Sequence, residues 1–233
     1  MNKQSLKVEL EKRNIPLNED TINQLEKYMH HILSWNEKFN LTAIKDEDAF
    51  YEKMILDSAI GMQQLDLTNK KVIDIGTGAG FPGVILYLLN PKMDITLLDS
   101  TNKKINLLNE YAKENGLSYK GVCARAEDYA KNHREEYDYA FARAVAPLNI
   151  LLELIVPLLK VNGTFIAMKG PNGEEEIAEA QKAFKKLNCH VEKSINDSLN
   201  ESNEKRTLIY IKKDSVTINK YPRDYQTIKK LPL

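Results

Sequence analysis

Val72-Ile73-Asp74-Ile75-Gly76-Thr77-Gly78-Ala79-Gly80-Phe81-Pro82-Gly83, followed by Leu97-Leu98-Asp99, is the part of the chain whose residue types and spacing point most directly to chemistry. It reads as a buried strand, a glycine turn, a helix, a second strand and one acid. Glycines let the backbone adopt positive φ and approach a ligand without Cβ collisions. Pro82 suits the first turn of the following helix, where a missing N–H costs little. Asp99 ends the second strand, where a carboxylate can accept hydrogen bonds from both hydroxyls of a ribose. The order builds a pocket for an adenosine-containing cofactor.

Two cofactor classes meet that description. Gly78-Ala79-Gly80-Phe81-Pro82-Gly83 satisfies the dinucleotide pattern G-x-G-x-x-G, a weak signal on its own. Three features favour S-adenosylmethionine. Asp74 stands inside the strand before the turn, where it would repel a pyrophosphate but can accept from the turn or from a cofactor ammonium. No basic residue lies in the turn to meet a phosphate. The unit also begins only after some seventy residues of another character. A dinucleotide oxidoreductase or nucleotide-sensing module stays open at this level, although the sequence offers no acid/base pair for hydride transfer.

Those elements belong to an alternation that starts at Lys71. Strands are expected at 71–75, 94–98, 119–124, 138–143, 164–168, 189–194 and 206–212, with helices at 82–89, 102–115, 127–132, 148–160 and 174–187 and a turn at Asn162-Gly163. Such alternation predicts an α/β fold, a doubly wound and mostly parallel seven-stranded sheet of the Rossmann-like methyltransferase type. By analogy with that fold, the last strand is inserted antiparallel. Residues 1–66 read as an N-terminal helical extension: Leu6 and Leu10 share a face, Ile15-Pro16 ends their helix, and Asn18 or Asp20 caps a longer one. Residues 67–233 form the catalytic domain with a basic tail.

Ligands in such sheets bind beyond the carboxyl ends of the strands. Cys123-Ala124-Arg125-Ala126-Glu127-Asp128 follows the third strand, in the place that reads an adenine ring. Arg143-Ala144-Val145-Ala146-Pro147 follows the fourth and Lys169-Gly170 the fifth. Arg125, Arg143 and Lys169 are thus expected on one rim, as positioning residues for an anionic substrate. Each alone reads better as an ion-pair partner, Arg125 with Asp128 for instance, and it is the three together that point to the substrate.

Composition bounds the function classes. The 233 residues carry 33 Lys and Arg against 33 Asp and Glu, a formal net charge of zero, which excludes a uniformly basic nucleic-acid glove. The average hides an asymmetry: 8 Lys/Arg against 12 Asp/Glu over residues 1–66, and 8 against 2 over residues 205–230. A basic tail can grip phosphate locally, or simply be solvated and frayed. No apolar run is long enough to span a membrane, and the start lacks the apolar stretch of a signal peptide. The distant Cys123 and Cys189 read as reduced thiols of a cytoplasmic protein. His30 and His31 have no second ligand pair at metal spacing, so no metal is expected. Trp35 reads as a packing residue.

Taken together, these residues resemble the glucose-inhibited division protein B family, the bacterial small-subunit rRNA guanine-N7 methyltransferases. The resemblance spans nearly the whole chain. It rests on Asn40-Leu41-Thr42, Ile55-Leu56-Asp57-Ser58, Asp74 to Gly83, Leu97-Leu98-Asp99-Ser100, Arg125-Ala126-Glu127, Arg143-Ala144, Met168-Lys169-Gly170 and Tyr221-Pro222-Arg223. It implies an S-adenosylmethionine-dependent enzyme, a monomer, that methylates N7 of a guanine in the 530 loop of 16S rRNA, free or in the small ribosomal subunit. It also implies cofactor-pocket roles for Gly76, Phe81, Ala126, Glu127 and Arg143, beside Asp74, Gly78, Gly80 and Asp99, and assigns Lys103, Lys104, Arg125, Lys169, Arg206 and Arg223 to RNA or the site rim. Met54 stands where the family often has histidine, and the tail after Arg223 lacks a glycine common in relatives.

The missing motifs agree with that acceptor. There is no Asn/Asp-Pro-Pro-aromatic run to hold an exocyclic amine and no Pro-Cys pair after the fourth strand for carbon methylation. Guanine N7 has a free lone pair and needs no general base, so no catalytic acid or base is expected. The alternative is a small-molecule methyltransferase with the N-terminal helices as a lid.

Overall fold

Alternating apolar side chains in the strands send successive residues to opposite faces of a central sheet, and both faces are buried. The computed structural model describes residues 1–39 and 42–233, so Asn40 and Leu41 lie outside the described residues. Helices α1 (Lys3–Lys12), α2 (Glu19–Phe39), α3 (Glu47–Phe50) and α4 (Asp57–Ala59) precede the sheet, with a π-helical segment Tyr51–Leu56 between α3 and α4. Then follow β1 (Lys71–Ile75), α5 (Gly83–Leu89), β2 (Asp94–Asp99), α6 (Asn102–Asn115), β3 (Lys120–Cys123), α7 (Ala126–Asn132), β4 (Tyr137–Arg143), α8 (Leu148–Ile155), β5 (Leu159–Lys169), α9 (Gly173–Glu179), α10 (Gln181–Leu187), β6 (Cys189–Ser198), β7 (Lys205–Lys213) and α11 (Tyr225–Lys230).

The sheet order is β3-β2-β1-β4-β5-β7-β6. The first five strands pair in parallel, and β7 lies antiparallel between β5 and β6. This is the expected doubly wound sheet with its inserted last strand. Val72, Leu97, Phe141, Ile166 and Leu208 face one core. Their neighbours Ile73, Leu98, Ala140, Phe165 and Ile209 face the other.

The N-terminal helices are a full layer of the molecule. Leu6, Leu10, Leu25, Tyr28, Met29, Ile32, Phe50 and Ile55 join α5 and α6 in one continuous core against the sheet. Asn18 caps α2, its side chain accepting from the Thr21 N–H at 2.8 Å. The opposite face carries α7, α8, α10 and the C-terminal α11, whose Ile228 is fully buried. No described helix is long and apolar enough to cross a membrane.

Three expected boundaries move. The helix expected at 148–160 ends at Ile155, ahead of Pro157, which cannot continue the backbone hydrogen-bond ladder. Residues 159–163 belong to β5, so Asn162-Gly163 is no free turn. Asn162 instead takes φ +64° inside a strand whose register against β4 is irregular between Tyr137 and Tyr139. The helix expected at 174–187 divides into α9 and α10 at Ala180.

Candidate active site

Strand order reverses between β1 and β4, which makes their carboxyl ends the switch point where ligands bind in sheets of this kind. Gly76 leaves β1 there with φ +72°. A Cβ at Gly76 would lie 2.6 Å from Val145 Cγ2 in the loop that leaves β4, so only glycine lets the two loops meet. Ala144 beside it also has positive φ, +54°, a strained setting for a residue with a Cβ and one that clusters at functional sites. At Gly80 (φ +84°) a Cβ would collide with the Tyr28 hydroxyl. That hydroxyl donates to the Ala79 carbonyl at 2.6 Å, so α2 buttresses the glycine turn from behind.

The acids of the motif shape this turn. Asp74 is fully buried. Its Oδ2 accepts from the Gly83 N–H at 2.9 Å, at the start of α5. Its Oδ1 and the Thr77 hydroxyl are buried without a hydrogen-bond partner. Burial pushes the Asp74 carboxyl up to about 6, against the opposing pulls of the neighbouring Thr77 hydroxyl, which is close but not aligned as a full hydrogen bond, and of the Gly83 N–H. Asp99 ends β2 as expected; its Oδ2 accepts from Gly78 N–H at 3.0 Å and its Oδ1 from Thr101 N–H at 2.8 Å.

Two clefts open at this edge and share Gly76, Ala144 and Val145. The smaller, about 270 Å³, is lined by Asp99, Arg125, Ala126, Glu127, Leu154 and Tyr225 among others. The larger, about 760 Å³, is lined by Thr77, Gly78, Phe81, Met54, Asp57, Arg143, Lys169, Glu176 and Arg206 among others.

The structure splits the three rim cations. Arg143 and Lys169 line the larger cleft and Arg125 the smaller. Arg125 forms no pair with Asp128, which Lys131 engages instead at 2.6 Å. Lys169 is 8% exposed, donating to the Ala146 carbonyl at 2.7 Å and pairing with Glu176 at 2.7 Å. Of the other cations assigned to RNA, Lys103 is exposed with its ammonium 3.4 Å from the centre of the Phe39 ring, and Lys104 is partly exposed beside it on α6. Arg223 is committed internally to the fully buried Glu153 through Nε (2.8 Å) and Nη2 (2.6 Å).

Asp57 is the residue that motif reading left without a role. Its Oδ2 accepts from Arg143 Nη1 at 3.1 Å and its Oδ1 from Arg206 Nε at 2.8 Å. Arg143 Nη1 also donates to the Lys53 carbonyl at 2.9 Å. Irregular helical backbone supplies these partners: the π-helical segment Tyr51–Leu56 carries Lys53 and leads into Asp57, and such segments are frequent at functional sites. The same segment reaches the turn between β6 and β7, where Glu52 Oε1 accepts from the Glu201 and Ser202 N–H groups and Lys53 pairs with Glu204. Glu176 and Tyr225 are the other lining residues with polar side chains that no motif marked. Their only signal in the sequence was proximity to Lys169-Gly170 and to Tyr221-Pro222-Arg223.

S-adenosylmethionine fits this frame. The carboxylate ending β2 stands at the smaller cleft with Ala126 and Glu127, and Gly76, which lines both clefts, has no room for a Cβ.

Comparison with known proteins agrees. The family model GidB, described as rRNA small subunit methyltransferase G, matches residues 21–214. The chain is 42% identical over 230 residues to the Ribosomal RNA small subunit methyltransferase G of Halalkalibacterium halodurans, covering 96% of each. It is 45% identical over 214 residues to the protein of that name from Alkaliphilus oremlandii, covering 90% of each. Among solved structures, M. jannaschii TYW2 in complex with AdoMet superposes with a TM-score of 0.57 at 13% identity, over 73% of this chain and 79% of that one. The putative transferase PH0793 from Pyrococcus horikoshii gives 0.55 at 10% identity, over 69% and 63%. At these identities the structural likeness shows the fold.

Proposed function

The chain belongs to the GidB family, the S-adenosylmethionine-dependent rRNA small subunit methyltransferases G, and from that premise we propose that it methylates N7 of a guanine in the 530 loop of 16S rRNA. Membership sets aside the dinucleotide reading of the glycine turn. One observation carries the choice of acceptor atom. Among the described residues that line the larger cleft there is no histidine, cysteine or tyrosine, and both carboxylates, Asp57 and Glu176, are held by cations. A site so equipped suits an acceptor that has no proton to lose.

S-adenosylmethionine, when bound, supplies an electrophilic methyl on a sulfonium, so the hard chemistry is the cofactor's. The chain supplies position. Asp99, Ala126 and Glu127 would hold the adenosine half, and Gly76 and Gly78 bring backbone close to the rest, while Gly80, expected in the pocket, packs against Tyr28 behind the turn. Asp74 works one layer down, tying β1 to the start of α5. Phe81 and Arg143 form the wall against which an acceptor base would lie. Guanine N7 attacks in line with its own lone pair, and alignment rather than proton transfer sets the rate. The methylated base is cationic, and Asp57 and Glu176 are the carboxylates that line the same cleft, each already paired with a cation.

Substrate form follows from the acceptor edge. N7 faces the deep, narrow groove of A-form RNA, closed to side chains. The nucleotide must therefore sit in a loop or be turned out of its stack. Lys103 and Lys104 on α6 are the cations we assign to flanking phosphates, since Arg206 is held by Asp57 and Glu204.

The test is to incubate the protein with labelled S-adenosylmethionine and small subunits or 16S rRNA from cells lacking the enzyme. Cleavage specific for N7-methylguanine then maps the label. Label at one guanine of the 530 loop is the expected result. Label elsewhere in the RNA replaces the target, and label confined to metabolites moves the assignment to a small-molecule methyltransferase.

A further inference from the structure

The C-terminal segment carries the largest departure from its sequence reading. Read from the sequence as a basic tail that grips phosphate or frays, it is docked at several points. Arg134 donates to the carbonyls of Tyr221 and Thr217, each at 2.6 Å. Arg223 pairs with Glu153, which is fully buried on α8. Tyr221, Ile228 and Leu233 are buried in the core beneath α8. Asp224 caps α11 by accepting from the Thr227 N–H at 3.0 Å.

This docking delivers one side chain to the smaller cleft. Tyr225 lines it together with Asp99, Ala126 and Glu127. The Arg125 guanidinium lies 5.7 Å from the centre of the Tyr225 ring, and Arg125 lines the cleft too. Helix α8 connects the parts, since Glu153 anchors the tail and its neighbour Leu154 is cleft wall. An aromatic face and a guanidinium plane beside a ribose-reading carboxylate form a setting that accepts a purine by stacking.

We propose that Tyr225 and Arg125 form a clasp over the adenosine half of S-adenosylmethionine, so that the docked tail is part of the cofactor site. Arg125 thereby moves from the RNA rim to the cofactor. The clasp rests on the family's cofactor and is independent of which RNA atom is methylated. Cofactor binding and tail docking then stabilise one another, because a ligand that binds only the docked form shifts the equilibrium towards it.

Calorimetric titration of S-adenosylhomocysteine and of adenosine into the full chain tests this without RNA. Tyr225→Ala and Arg125→Ala each weaken both ligands about tenfold, and Tyr225→Phe, which keeps the ring, stays within about twofold. The double variant loses less than the product of the two single losses, because each residue works through the other. Bound S-adenosylhomocysteine slows tryptic cleavage at the exposed Lys229 and Lys230 in the unmodified chain and not in Tyr225→Ala. Wild-type affinity in Tyr225→Ala overturns the clasp. Should that variant undock the tail, the exposed Arg125 carries the test, and unchanged affinity in Arg125→Ala overturns it equally. Failure of the unmodified chain to bind either ligand would instead defeat the cofactor assignment, which separates the two failures.

Discussion

Asp57 and Arg206 meet at 2.8 Å across 149 residues of sequence, and the same carboxylate holds Arg143 at 3.1 Å. One acid from the N-terminal layer thus fixes two guanidinium groups from two different strands at the mouth of the larger cleft. A single carboxylate serving two cations leaves donors on each free to face a ligand, since a guanidinium carries five.

Replacing Asp57 by Asn removes the charge that orients both arginines while keeping the volume. Turnover on RNA is expected to fall by one to two orders of magnitude, about 2 kcal/mol of transition-state stabilisation, with a smaller loss of S-adenosylhomocysteine affinity. Arg206→Lys is expected to fall nearly as far, because an ammonium lacks the planar fork that meets Asp57 and Glu204 together. Single-turnover methylation beside cofactor titration separates the effects. Wild-type turnover in Asp57→Asn would remove Asp57 from any positioning role.

Why this arrangement was illegible in the sequence is a matter of range. Strands 71–75 and 94–99 announce themselves by local apolar runs, and the glycine turn by its own composition, so fold and cofactor turn were readable within windows of about ten residues. Asp57 and Tyr225 acquire their meaning only from partners far along the chain, and Glu176 from a partner seven residues away that the turn after β5 brings back to it. Charge counting failed in the same way. Of the cations in the basic tail, Arg206, Lys213 and Arg223 are spent on Asp57, Glu135 and Glu153, and Lys213 is fully buried. Pairing at a distance turned an apparent phosphate grip into internal architecture.

The Arg223–Glu153 pair gives a stability prediction. Glu153 is fully buried, while the Arg223 side chain keeps 24% exposure. Cutting one partner from a buried pair costs about 3–5 kcal/mol, less where solvent reaches one side. Arg223→Ala, which strands the Glu153 charge, is expected to destabilise the fold by roughly 2–3 kcal/mol in urea unfolding. Glu153→Gln strands only a partly wetted cation and costs less. A change under about 0.5 kcal/mol in both would place the tail outside the cooperative unit.

The lysines sort by the same logic. Lys103 is exposed and Lys104 partly exposed, whereas Lys169 is held inside by Glu176 and Ala146. Lys103→Ala with Lys104→Ala is expected to weaken RNA binding and flatten its dependence on log salt by about one to two. S-adenosylhomocysteine affinity should stay unchanged. Arg223→Ala should leave the salt slope as it was. An unaltered slope in the double lysine variant would take α6 off the RNA path.

Asp74 supplies a pH signature with a definite sign. Its carboxyl is raised by burial from 3.8 to about 6, so between those values the folded protein holds a proton that the unfolded chain has released. The contribution is therefore complete below pH 4 and is lost as pH rises through 6, on the order of 2–3 kcal/mol. Asp74→Asn keeps a carbonyl to accept the Gly83 N–H and cannot ionise. Other carboxylates titrate over the same range, so the informative quantity is the difference between variant and unmodified chain. That difference is expected to grow in favour of Asp74→Asn from pH 4 to pH 7 and to level off above. Urea unfolding at a series of pH values measures it directly. A difference that stays flat across the range would mean that Asp74 ionises in the fold as readily as in water, with Thr77 and the turn rearranged to solvate it.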